Sequence, residues 1–366
     1  MDRTRESTSQ FESRKSDHLE VAMDPRVQAV EGLGTEFDLV QFIHEALPDL
    51  DFADISIEVD SSQATRTASL SASPFFVSSM TAGHEAGAVL NRRLAAACAA
   101  RGWLMGVGSQ RRELFDSASA AEWREIRKKT PDVSLIGNIG LSQLVDSGVE
   151  KVLGLGEALE AVAMIVHLNP LQECLQLEGT PQFRGGLHAI AALAERARMP
   201  IIVKETGCGV SGTTARRLIG AGVAVIDVAG RGGTHWGRIE GLRAAKANVS
   251  SLSSKAAESF QNWGLSTVDS LRQVVHAGRD AGVEIWASGG IRSGLDAAKA
   301  IRLGAARVGI AQPFLAAALN GEDELNRVMD RFEFELKVAM FCVGANDLGE
   351  LRRAPLAEVE RGSENL

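Results

Sequence analysis

The run His167-Leu168-Asn169-Pro170-Leu171-Gln172-Glu173 gathers an imidazole, two carboxamides and a carboxylate in one short stretch. At the end of a strand, His167 and Asn169 share a face, and Gln172 and Glu173 come round in the following turn. One carboxylate beside amides can hold Mg2+ when waters and substrate phosphate oxygens complete its shell; taken alone, a hydrogen-bonded loop accounts for these residues equally well. Lys204 closes the apolar run Pro-Ile-Ile-Val-Lys-Glu, where an unpaired ammonium is costly to bury. Glu205 is a poor partner for it, because adjacent strand residues point to opposite faces. A ring that gathers negative charge on reduction, a flavin, fits better. Gly289 and Gly290 let a backbone approach an anion, Arg292 adds a charge-assisted bond, and Arg292 or Ser293 leads into a helix. A tight turn with a solvated arginine is the plainer alternative. Arg14-Lys15-Ser16-Asp17-His18 places three potential cations in five residues, which without a partner elsewhere reads as a solvated segment.

These groups need a scaffold that carries them to one place. From residue 74 the chain repeats a short β-branched run, a Gly-, Ser- or Asn-rich loop and a longer amphipathic stretch, the pattern of βα units. The runs at 74–80, 103–108, 134–140, 163–169, 200–205, 223–230, 283–290 and 306–311 predict eight strands. Three- and four-residue apolar spacing predicts helices over 90–101, 187–198, 213–220, 268–281 and 295–303. Eight alternating units predict an α/β fold, a closed (β/α)8 TIM barrel, since an open sheet usually has fewer strands. Residues 1–73 read as an N-terminal extension, 74–350 as the barrel with a closing helix over 322–345, and 351–366 as a frayed polar tail. The Gly-, Ser- and Ala-rich insert at 231–266, between strands six and seven, is expected to be a lid or disordered.

In such a barrel chemistry collects at the C-terminal strand ends. Those ends are polar here: Ser79-Met80-Thr81, Gly108-Ser109-Gln110-Arg111, Asn138, His167 with Asn169, Lys204-Glu205, Thr234, Ser288 through Arg292, and Gly309-Ile310-Ala311-Gln312. The seventh and eighth loops are where barrels bind phosphate. The expectation is a barrel carrying a phosphate-bearing flavin, FMN.

Composition narrows the partners. The 366 residues are 45% hydrophobic, enough for a large core, and 39 Lys plus Arg against 47 Asp plus Glu give a net charge of -8. That balance argues against nucleic acid as a partner. The polar first stretch has no signal-peptide apolar region, and no run is long enough to span a membrane, so no membrane partner and a cytoplasmic location are expected. Cys98, Cys174, Cys208 and Cys342 form no Cys-x-x-Cys pair and read as buried free thiols.

Taken in order, Arg-Lys-Ser-Asp-His at 14–18, Met80-Thr81, Gly108-Ser109-Gln110-Arg111, the 167–173 run, Val203-Lys204-Glu205, Asp227-Val228-Ala229-Gly230-Arg231-Gly232-Gly233-Thr234 and the 288–292 run resemble type 2 isopentenyl diphosphate isomerases. The resemblance runs from about residue 14 to 350. It implies an FMN- and Mg2+-dependent isomerase of isoprenoid biosynthesis that interconverts isopentenyl and dimethylallyl diphosphate, with NADPH as the flavin's reductant and a homo-oligomer, tetramer or octamer. It also implies that Ser79, Met80, Thr81, Ser109, Asn138, Lys204 and Thr234 line the flavin, and that Gly290, Ile291, Arg292, Ile310 and Ala311 hold its phosphate. Arg14, Lys15, Ser109, Gln110, Arg111, Asn169 and Gln172 would bind the diphosphate substrate, and Glu173 the Mg2+. His167 and Gln172 are the expected catalytic residues beside the reacting carbons. The chain departs from the pattern at Ala82, at Thr234-His235-Trp236 and at Ser266.

Other readings fit less well. A 2-hydroxy acid oxidase needs a base in a His-Gly-Gly-Arg loop, where this chain has Arg231-Gly232-Gly233-Thr234. An inosine monophosphate dehydrogenase needs a nucleophilic cysteine in the sixth loop, which lacks one. A non-catalytic flavin-binding paralogue has no need of Arg14, Arg111, Gln172 and Glu173.

Overall fold

The computed structural model of the chain describes residues 18, 20–29, 34–60, 67, 70–80, 85–246 and 251–357. Among them eight parallel strands close a ring: β1 (Phe75–Val77), β2 (Leu104–Gly106), β3 (Ser134–Gly140), β4 (Ala163–Leu168), β5 (Ile201–Glu205), β6 (Val225–Asp227), β7 (Glu284–Ala287) and β8 (Arg307–Ile310). β1 pairs with both β2 and β8, so the expected barrel has no sheet edge. Every predicted strand forms, most of them shorter than the apolar run that signalled it. The run at 223–230 yields only three strand residues because the chain leaves the sheet at Val228 and turns through Ala229, whose φ is 37°.

The apolar runs become strands because both faces of a parallel sheet are covered. Phe76, Leu104, Ile136, Ile165, Ile202, Val225 and Trp286 pack together inside the ring, with the Phe76 and Trp286 rings 4.8 Å apart. Beneath them the wholly buried Arg307 lies over the Trp286 ring and donates to the carbonyls of Ser71 (2.8 Å) and Thr67 (3.1 Å), closing the N-terminal mouth. Alternation puts the residues two further along on the same inner face. Those residues are Ser78, Gly106, Asn138, His167, Lys204, Asp227 and Ser288, so the core layer positions the site directly above it.

Helices including Glu85–Arg101, Gly186–Arg196, Gly212–Gly220, Thr267–Gly278, Gly294–Arg302 and Glu322–Phe341 cover the outside. Ser211, Ser266 and Ser293 cap three of them, each accepting the N–H three residues on.

Two expectations are corrected, and one of two alternatives is removed for a third. The insert after β6, read as a lid or disordered, is helical rather than disordered over Trp236–Lys246 and Ser251–Ser259, and Gly241 lets the two helices close: a Cβ there would lie 2.4 Å from that of Ala257. The start of the tail is packed, with Leu351 and Ala354 buried and the Ala357 N–H donating to the Gln41 carbonyl at 2.9 Å. The four cysteines are free, but only Cys98 is buried; Cys174 is exposed and Cys208 and Cys342 are partly so. Nor are the described residues 34–60 detached, since Phe37, Val40 and Ile55 join the main core. No described helix is long and apolar enough to cross a membrane.

Candidate active site at the barrel rim

Parallel register sets His167 beside Lys204 and Lys204 beside Asp227. The Lys204 Nζ lies 2.9 Å from Asp227 Oδ2 and donates to Ser288 Oγ at 2.7 Å, and that hydroxyl donates to Asp227 Oδ1 at 2.8 Å. The costly buried ammonium thus has a compensating charge inside the wall. Glu205 is no part of this pair. It faces the other way, and its Oε2 accepts the N–H groups of Thr206 (2.6 Å), Gly207 (2.7 Å) and Cys208. Burial, outweighing those three bonds, pushes its carboxyl up to about 7.

On the other side of Lys204, His167 Nδ1 meets Asn138 Oδ1 at 2.8 Å. The Asn138 Nδ2 donates to the Val107 carbonyl at 3.1 Å. Gln110 is 1% exposed; its Oε1 accepts the Asn138 N–H at 3.1 Å and its Nε2 donates to Glu113 Oε2 at 2.7 Å.

β4 ends at Leu168, Asn169 is the N-cap residue that follows it, and Pro170 starts the helix Pro170–Leu175, turning Gln172 and Glu173 back toward the rim. The Asn169 Nδ2 donates to Gln172 Oε1 (3.0 Å) and Glu173 Oε1 (3.1 Å), while Glu173 Oε2 accepts the Thr180 N–H at 2.6 Å. Gln172 Nε2 donates to Glu240 Oε1 at 3.0 Å. The same oxygen is 2.9 Å from His18 Nε2, and Arg243 donates to Glu240 Oε2 at 2.6 Å. Burial alone would raise the Glu240 carboxyl; the bonds and charges of His18, Arg243 and Gln172 outweigh it and hold the group at about 2. His18 also meets the Trp236 ring edge-on at 5.4 Å.

Across the mouth, Gly289 and Gly290 have φ of 98° and 77°, and a Cβ on Gly290 would sit 2.4 Å from the Gly232 backbone. Only glycine suits such a position. Arg292 donates to Gln28 Oε1 at 2.6 Å, and Gln28 bonds Thr234 at 3.2 Å, tying the N-terminal segment to the sixth and seventh loops. Burial lowers the Arg292 pKa. The helices Gly294–Arg302 and Gln312–Asn320 both begin here, their N-terminal N–H groups toward the rim.

The cleft so formed encloses about 1280 Å3, its open mouth included. The expected flavin residues Ser79, Met80, Ser109, Asn138, Lys204 and Thr234 line it. So do Gly290, Ile291, Arg292 and Ala311 of the expected phosphate site, and Arg111, His167, Asn169, Gln172 and Glu173. Two expected residues do not. Gln110 is turned into the wall by its bonds to Asn138 and Glu113, and Ile310 packs into the outer core, offering the cleft side only its strand neighbours. Arg14, Lys15, Thr81 and Ala82 lie outside the described residues. Sequence reasoning passed over the roles of Ser78, Asp227, Ser288, His18 and Glu240. Period-two alternation could have found the first three, whereas nothing in the spacing links His18 to a glutamate 222 residues away.

Two observations bear on what the cleft accepts. Ser78 Oγ and Ser79 Oγ are buried at its wall with no hydrogen-bond partner among the described residues, a state that a polar ring edge would relieve. Asn169 Oδ1 is likewise buried and unpartnered beside Glu173. Among the described residues no group of three His, Cys, Asp or Glu side chains stands ready for a metal. One carboxylate next to an open acceptor suits a cation that keeps most of its waters, as Mg2+ does.

Fold and rim define a barrel of the FMN-dependent dehydrogenase class: residues 174–358, half of the chain, match the family model described as FMN-dependent dehydrogenase. Mandelate oxidase solved with (S)-2-phenylpropionate shares the fold at 19% identity, covering 94% of this chain and 98% of that one with a TM-score of 0.60. Sequence relatives are far nearer. An isopentenyl-diphosphate delta-isomerase of Bdellovibrio bacteriovorus is 49% identical over 349 residues, 95% of this chain and 98% of the relative. One of Legionella pneumophila is 48% identical over 94% and 97%, and one of Halobacterium salinarum 41% over 96% and 94%. The chain belongs to the isopentenyl-diphosphate delta-isomerase family, a family of isomerases, as its ordered motifs led one to expect.

Proposed function

We propose that the chain interconverts isopentenyl and dimethylallyl diphosphate in isoprenoid biosynthesis, using FMN kept reduced by NADPH together with Mg2+. One observation carries the reading: a wall with open serine hydroxyls and a buried Lys204 faces, in a single cleft, an acidic and amide corner made by Asn169, Gln172 and Glu173. A flavin-only barrel has no use for that corner.

When bound, reduced FMN supplies a group able to give and take a proton beside an allylic carbon with no net redox change. The chain's own residues do the rest. Lys204, held by Asp227 and Ser288, places a fixed positive charge against the ring. Ser79, Met80, Ser109, Asn138 and Thr234, with Thr81 as the resemblance implies, would line the ring, and Gly290, Ile291, Arg292 and Ala311 would hold the phosphate. Arg111 makes no hydrogen bond or ion pair to the described residues, leaving its guanidinium for the diphosphate, together with Ser109, Asn169, Arg14 and Lys15. Glu173 would hold Mg2+, whose charge would offset part of the diphosphate's. His167 and Gln172 stand by the reacting carbons, where Gln172 is oriented by Asn169 and Glu240.

Glu173→Gln keeps the shape of this corner and removes its charge. The expected outcome is an apparent Mg2+ requirement raised at least about tenfold, the equivalent of ~1.4 kcal/mol, with FMN still bound. An unchanged Mg2+ titration would remove Glu173 as the ligand.

A further inference from the structure

The ordered motifs assign Gln110 to the substrate, yet its side chain points away from the cleft. We infer that Gln110 is a positioning residue: held by Glu113, it fixes Asn138 so that Asn138 locks His167 in the tautomer carrying its proton on Nδ1. The inference rests on the reading of His167 as a residue at the reacting carbons.

The relay runs inward from Glu113. The Asn138 backbone N–H can only donate, so its bond to Gln110 decides which end of the Gln110 amide is oxygen, and the nitrogen end, Nε2, donates to Glu113 Oε2 at 2.7 Å. The carbonyl end, Oε1, accepts the Asn138 N–H at 3.1 Å, while the Gln110 backbone N–H donates to the Asn138 carbonyl at 2.8 Å. Asn138 is gripped on both backbone groups by one residue. Its side chain has its own reference point, since the Val107 carbonyl only accepts and takes the Nδ2 donor at 3.1 Å. That leaves the acceptor, Oδ1, for His167. An acceptor at 2.8 Å from Nδ1 requires a proton on Nδ1. In the neutral ring Nε2 then carries the lone pair. It is the nitrogen beside Gly140, where an added Cβ would come within 3.1 Å of it and meet the Gln143 side chain more closely still. Gln110 and Asn138 are 1% and 5% exposed, so water does not compete for these bonds. The motif signal at 108–111 is real, but it marks the wall that orients a reacting group.

Nitrogen-15 spectra of uniformly labelled-histidine protein, with His167 assigned by its loss in His167→Gln, read the tautomer without altering any residue of the relay. The expected result is a neutral ring protonated at Nδ1. Protonation at Nε2 overturns the proposal. Kinetics of Gln110→Met, which keeps the length and removes both amide groups, supply the second reading: kcat falls about 10- to 100-fold through misplacement of His167 with KM within about twofold. A raised KM with unchanged kcat returns Gln110 to the substrate and overturns the proposal. Should Gln110→Met fail to fold, the wild-type spectrum still decides. Should His167→Gln retain full turnover, the reading of His167 fails, whichever tautomer the spectrum shows.

Discussion

Glu205 shows how a residue's chemistry follows from what surrounds it. One of its oxygens takes three backbone N–H groups, which favour the charged carboxylate, yet burial dominates and sets the group at about 7, above its ordinary 4.5. A pKa raised by folding contributes stability that is present below 4.5 and lost as pH rises through 7. A shift of that size corresponds to about 3 kcal/mol. Glu205→Gln should therefore flatten the fall in unfolding free energy between pH 5 and 8, as measured by denaturant titration at each pH; an unaltered slope would show that Glu205 is charged throughout. Residue identities were legible where a strand delivers them. Lys204 announced itself as a charge at the end of an apolar run, and its need for a partner was correct. The partner, Asp227, follows from the register of a neighbouring strand, which spacing along one segment does not encode. Gln110 is the reverse case: the motif was visible, but side-chain direction was not.

At the scale of elements, the loops after β6 and β7 are built by backbone approach. Gly289 and Gly290 lie against Gly230, Gly232 and Gly233 so closely that no side chain fits between them. Gly290→Ala adds a methyl 2.4 Å from the Gly232 backbone at a φ of 77°, a conflict on the order of 1–3 kcal/mol. The expected outcome is FMN affinity weakened at least about tenfold, or ~1.4 kcal/mol, in a fluorescence titration, with the barrel's circular dichroism retained; unchanged affinity would remove this loop from the phosphate site. The eight strands were readable because a strand covered on both faces is apolar throughout. The two helices of the insert were not, since Gly, Ser and Ala dominate there and leave only a weak apolar stripe. The packed start of the tail escaped for a different reason: its partners, Gln41 and Ile43, lie some three hundred residues earlier, and no local pattern reports such a contact.

For the molecule as a whole, the barrel separates support from chemistry along its axis. Arg307 fills the N-terminal end, the apolar layer that includes Trp286 follows, and the polar rim stands on that layer with side chains two residues further along the same strands. The N-terminal segment crosses this rim and is tied in by Gln28 to Arg292 and Thr234 and by His18 to Glu240. Residues hundreds of positions apart thus complete one cleft, and family membership says which reaction class such a cleft serves. Under the proposed function this cleft moves a proton rather than a hydride. The most direct test is anaerobic incubation of the protein with reduced FMN, Mg2+ and isopentenyl diphosphate, followed by product analysis and the flavin spectrum. The expected result is dimethylallyl diphosphate through many turnovers with the flavin still reduced. Flavin oxidised in step with substrate consumed, or no isomer formed by protein that has bound FMN, would contradict it.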